Sequence, residues 1–216
     1  MNIEVILNEI SIWVVILPLL VGIFFFRSLS YSSMIVFGIV ASATIPQLLR
    51  EFVNDKETIS IAYNLYTPAE FFLTFLLFKD KFKKQLNKNI LKSLMALFIV
   101  ASVVLCYYYN IKTRFINEWV CFANFVYTAL ILLLILEQYG QKENNSINDT
   151  FFLWYLVALF FYAPCTLLIF SLWQYLKSNQ NSFLNNLWVI HHFFNIMMYV
   201  FFSVGFYIDS RKKIII

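Results

Sequence analysis

The chain has 216 residues, of which 61% are hydrophobic, 20% aromatic and only 13% charged, and its formal net charge is +4. Soluble domains carry about 25% charged residues, and with a mean hydropathy of +0.73 a chain of this length has too little polar surface to cover a water-soluble globule. Its apolar residues fall instead into blocks long enough to cross a hydrocarbon layer of about 30 Å, which takes roughly 20 helical residues.

Seven such blocks follow one another. The first covers 5–26 and ends at Arg27; its start carries Glu4 and Glu9 instead of a basic region, so it is not expected to be a cleavable signal peptide. The second, 31–49, ends in IPQLLRE before the polar VNDKET. The third, 60–78, runs into KDKFKKQLNKN, where Phe82, Leu86 and Ile90 fall four apart and predict a helix continuing along the membrane surface. The fourth to seventh cover 90–109, 118–136, 150–175 and 182–207. Backbone polar groups in lipid must be paired within the segment, and these runs lack the alternation of barrel strands. The expected fold is therefore all-α, a single seven-helix transmembrane domain over 1–216.

The connections hold no second domain; the longest, GQKENNSIND, is a polar loop. No kinase, nuclease or nucleotide-binding module is expected, so a signal must pass through helix movement or a partner. Counting Lys and Arg with the N-terminus outside gives 11 on the cytoplasmic side and 5 outside, which predicts a cytoplasmic C-terminus in a bacterial inner membrane. On that topology the sequon matches NNS and NDT near 144–150 face the cytoplasm and carry no meaning as glycosylation sites. The Lys-rich connection follows from the same rule. It needs no nucleic acid to explain it, and it offers Lys79, Lys81, Lys83, Lys84 and Lys88 to anionic headgroups or to a protein partner; an oligomer is also compatible.

Polar residues at membrane depth are costly unless paired or functional. In the third block Ser60, Tyr63, Thr67, Glu70 and Thr74 form one stripe, with Tyr66 one turn before Glu70, and Pro68 predicts a bend beside it. The seventh supplies His191, His192, Asn195 and Tyr199, the fifth Asn124 and Thr128, and the sixth Tyr155, Tyr162, Thr166 and Trp173. These faces are expected to meet in one polar interior, with Glu70 paired to His191 or His192. Such a pair can orient two helices or respond to a ligand or proton, because His titrates near neutral pH.

Enzyme chemistry is not expected, nor any cofactor or metal. A catalytic zinc takes about three protein ligands, whereas the chain has two histidines, adjacent in sequence and pointing about 100° apart on a helix. Cys106, Cys121 and Cys165 show no CxxC spacing and read as free thiols. No Ser stands in a nucleophile elbow, and the seventh block has no central Lys for a retinal.

Two resemblances accompany these residues. Pro46-Gln47 resembles the signature of PQ-loop carriers, small seven-helix transporters built as two three-helix repeats joined by one helix; Pro164 lies at a comparable depth in the sixth block but precedes Cys165, not Gln. More broadly, YxxxE at Tyr66 to Glu70, FFLWYLVALFFY, and IHHFFNIMMYVFFSVGFY resemble a group of small seven-helix bacterial membrane proteins of unassigned activity. That resemblance implies a regulatory, sensory or accessory component beside a separately encoded effector, including the membrane accessory proteins of signalling or antiviral, CRISPR-type systems. A small-solute carrier is the alternative.

Overall fold

The structure is a computed structural model that describes residues 3–139, 149–178 and 183–212, with side chains described for 5–139, 149–172 and 187–211. The expectations for the 140–148 loop and its sequon matches, and for the side chains of Glu4, Trp173, Lys177, Lys212 and Lys213, lie outside those residues.

The regular elements of the described chain are all helices: α1 (Ile3–Trp13), α2 (Ile16–Phe24), a short 3-10 turn (Phe26–Ser28), α3 (Tyr31–Phe52), α4 (Lys56–Lys79), α5 (Gln85–Tyr108), α6 (Asn117–Tyr139), α7 (Thr150–Ser178) and α8 (Phe183–Lys212). Together α1 and α2 make one apolar stretch, so seven helical segments are long and apolar enough to cross a membrane, as in a multi-pass membrane protein. Leu20, Phe72, Val100, Val103, Leu136 and Phe193 lie exposed on the outer surface, where a soluble protein would show charge.

Prolines act unevenly. Pro18 has no N–H for the Val14 carbonyl, which accepts from Leu17 instead at 3.0 Å, and the first stretch breaks there into two helices. By contrast α3, α4 and α7 run without interruption through Pro46, Pro68 and Pro164. The helix expected along the Lys-rich connection forms only from Gln85, with Leu86 and Ile90 inside it and Phe82 outside. Residues 80–84 make a non-helical turn because Phe82 leaves the surface and buries itself against Phe78, with centroids 6.2 Å apart. From Gln85 onward the chain belongs to the long helix α5.

Successive spans pack on one another around a ring: α1 and α2 against α8, α8 against α7, α7 against α6, α6 against α4, α4 against α3, and α3 against α2. Helix α5 stands outside this ring on α4 and α6, and only 11% of its apolar window is buried. Close approaches need small residues at two contacts. A Cβ on Gly22 would sit 2.3 Å from the Phe37 ring, and one on Gly205 would sit 3.0 Å from Phe151.

The two ends of the ring differ. The end carrying the Lys-rich turn is filled by Phe78, Phe82, Phe151, Phe152, Tyr155 and Phe206, all essentially without exposed surface. Three carboxylates lock it. Asp209 accepts from the Ser30 main chain at 2.7 Å and from the Ser33 hydroxyl, which holds the start of α3 against the end of α8. Glu137 accepts from the main chains of Lys83 and Lys84, each at 2.7 Å, and from the Asn87 side chain. Asp149 accepts from Lys81, Ser32 and the Phe152 main chain, capping α7. Burial pushes the Asp149 carboxyl up, but the hydrogen bonds from Lys81, Ser32 and Phe152 outweigh it and hold it below the usual carboxylate value.

Candidate functional site

At the other end, where α1, α4, α6 and α8 begin and α3 and α7 finish, the ring is hollow. A cavity of about 430 Å³ lies there, within the range of small-molecule sites. At 1.5 Å per residue, Glu70 is about 21 Å along α4 from Lys56 and about 14 Å from Lys79, so the cavity reaches the middle of the bundle.

Among the residues expected in the polar interior, Tyr66 and Glu70 from α4, Asn124 from α6, and His191, His192 and Asn195 from α8 line this cavity. Helical spacing brings them together, since residues three or four apart share a face. The stripe on α4 nevertheless divides. Tyr63, Thr67 and Glu70 face the cavity, whereas Ser60 donates to the Ile111 carbonyl at 3.2 Å and Thr74 bonds the Tyr155 hydroxyl at 2.9 Å, below the cavity floor. Likewise Tyr162 and Thr166 line it, and Thr128 turns back to the Asn124 carbonyl at 2.8 Å.

Tyr66, one turn earlier on the same helix, interacts with the Glu70 carboxyl, and His191 Nδ1 pairs with the Thr166 hydroxyl at 3.4 Å. The His191 ring packs among Tyr162, Phe170 and Trp188, with centroids 5.3 to 5.9 Å apart. Asn195 donates to both the carbonyl and the hydroxyl of Ser11, at 3.1 and 2.8 Å, and so fastens α8 to α1.

The sequence reading missed several wall residues. Asn8 and Ser11, three apart on α1, and Gln47 and Arg50, three apart on α3, line the mouth. Gln47 accepts from the Tyr63 hydroxyl at 3.2 Å, and Arg50 also interacts with that hydroxyl. Their i, i+3 spacing is a signal present in the sequence. Asn64 was missed too: it is buried, donates to the Ile111 and Arg114 carbonyls at 2.8 Å each, and accepts from the Ile116 main chain at 3.0 Å, anchoring the segment before α6 beside the cavity.

Among the described residues no group of three or more His, Cys, Asp or Glu converges as metal ligands would. Chemically the cavity offers one carboxyl, two imidazoles, a guanidinium at its mouth, several amides and an aromatic wall. That set has the donors, acceptors and ring surface to hold a small polar molecule. No protein family, curated protein or solved structure matches the chain.

Proposed function

We propose that the protein is a membrane sensor or accessory component that binds a small molecule in this cavity and acts through a separately encoded partner, as in bacterial signalling or CRISPR-type antiviral systems. It sits in the inner membrane with its N-terminus outside and its Lys-rich turn in the cytoplasm, so the cavity opens outward. The observation that carries the reading is the gathering of Glu70, Tyr66, His191 and His192 around one enclosed volume at mid-depth.

The route to the cytoplasm is physical. Helix α4 runs unbroken from Glu70 to Lys79, next to Lys81 on Asp149, and α8 runs from His191 to Asp209 on α3. A ligand that bridges α4 and α8 across the cavity therefore biases the carboxylate lock at the far end. Lys79, Lys83 and Lys84 stand exposed there and suit an acidic partner surface; Lys88 is half-exposed beside them. The protein is read as a binding component with no catalytic step or cofactor of its own.

A second reading, a small-solute carrier, is favoured by the one-sided shape: open at one end and sealed at the other by aromatic rings and three carboxylates. Affinity purification from native membranes, paired with uptake into proteoliposomes, separates the two. The sensor reading predicts a stoichiometric partner whose recovery changes on Glu70→Gln combined with His191→Phe and His192→Phe. Solute accumulation without a partner would overturn it.

A further inference from the structure

We propose that the cavity is built for a small organic ammonium, with Glu70 and Asn124 as its acceptors and the aromatic wall as its enclosure; this inference rests on the ligand-binding reading above. The polar groups lining the cavity are unevenly committed. The Tyr63 hydroxyl is spent on Gln47 and the Asn195 amide N–H on Ser11. Acceptors remain. The Asn124 Nδ2 donates to the Val120 carbonyl at 2.8 Å, which fixes the orientation of the amide, and its Oδ1 is enclosed without a hydrogen-bond partner. An ionised carboxylate accepts at about four lone-pair positions, and a single hydroxyl such as that of Tyr66 can fill at most one on Glu70.

Glu70 is also the one acid among the cavity-lining residues described. The guanidinium of Arg50 stands exposed at the mouth, where it interacts with Tyr63. An ammonium beside them supplies the donors that Glu70 and Asn124 call for, and it forms a charge-assisted hydrogen bond with the carboxylate. Tyr66, Tyr162, Tyr199, Phe170 and Trp188 add ring surface that favours both a cation and an attached aryl or alkyl group. A carboxylate at the same depth meets Glu70 as a like charge. An imidazole can donate or accept, so the two histidines do not decide the sign.

The test uses three probes that differ only near the head group: phenethylamine, 2-phenylethanol and 3-phenylpropionate, titrated calorimetrically into the purified full chain in lipid nanodiscs. Phenethylamine is expected to bind roughly tenfold or more tightly than the other two, the usual worth of one charge-assisted hydrogen bond. Glu70→Gln is expected to remove that preference, Glu70→Asp to retain part of it, and Asn124→Leu to weaken phenethylamine several-fold. Gel filtration checks each variant's fold. Equal or tighter binding of 2-phenylethanol or 3-phenylpropionate, lost in His191→Phe, overturns the ammonium proposal and leaves the cavity reading standing. Unchanged phenethylamine affinity in a folded Glu70→Gln also overturns the proposal. No binding of any probe to the unmodified chain overturns both.

Discussion

The Lys81 ammonium and the Asp149 carboxylate lie 2.5 Å apart, with only 20% and 22% of their side-chain surface exposed. This ion pair joins the turn after α4 to the cap of α7, and through Ser32 to the start of α3. Because the native Asp149 carboxyl is held below its ordinary value, its contribution is complete above the unfolded carboxyl's pKa and is lost as the pH falls through the lower native value. Asp149→Asn is expected to cost about 1 to 2 kcal/mol near neutral pH, between the worth of exposed and buried pairs. In thermal unfolding followed by circular dichroism, the gap between wild type and variant should close below about pH 4. A gap that stays constant from neutral to acid pH would remove the ion pair from the account.

Asn64 ties the chain from 111 to 116 to α4 with three hydrogen bonds. Asn64→Leu fills similar space but leaves two carbonyls and one N–H without this partner, at an expected cost of about 2 to 3 kcal/mol. Hydrogen exchange should accelerate in the segment from Asn110 to Ile116 while the protected amides of α7 stay unchanged. Uniform acceleration across the chain would mean that Asn64 supports the whole bundle instead of this segment.

Gly22 and Gly38 make a matched pair. A Cβ on Gly22 meets Phe37 at 2.3 Å, whereas one on Gly38 meets Leu73 at 3.6 Å, an ordinary contact. Gly22→Ala should destabilise by about 1 to 3 kcal/mol as overpacking does. Gly38→Ala should be neutral or slightly stabilising, because a helical alanine restricts the unfolded chain. Melting temperatures of the two variants check this; equal effects would contradict the tight α2–α3 contact.

Much of this was legible because it depends on single helices. Length and hydropathy are properties of a segment, so seven spans could be read directly, and helical spacing put Glu70 and Tyr66 on one helix and His191, His192 and Asn195 on another. What sequence spacing does not encode is the partner across the bundle. Asn195 meets Ser11, 184 positions away, and Asp209 meets Ser33, 176 away; neither distance leaves a local pattern. Phe82 matched a surface helix by period, yet burial against Phe78 prevailed over that spacing. The split of the first stretch followed from Pro18, whose ring acts where three other prolines are accommodated.

The central claim, an enclosed site open only to the face away from the Lys-rich turn, can be measured with a single introduced thiol. In a background with Cys106, Cys121 and Cys165 replaced by alanine, Thr67→Cys places a sulfhydryl in the cavity wall and Leu77→Cys places one in the filled half. A membrane-impermeant methanethiosulfonate ammonium reagent, added to sealed vesicles of each orientation, should modify Thr67→Cys from the side bearing Asn110 alone and leave Leu77→Cys unmodified. Modification of Thr67→Cys from the Lys81 side, or from neither side, would contradict the account.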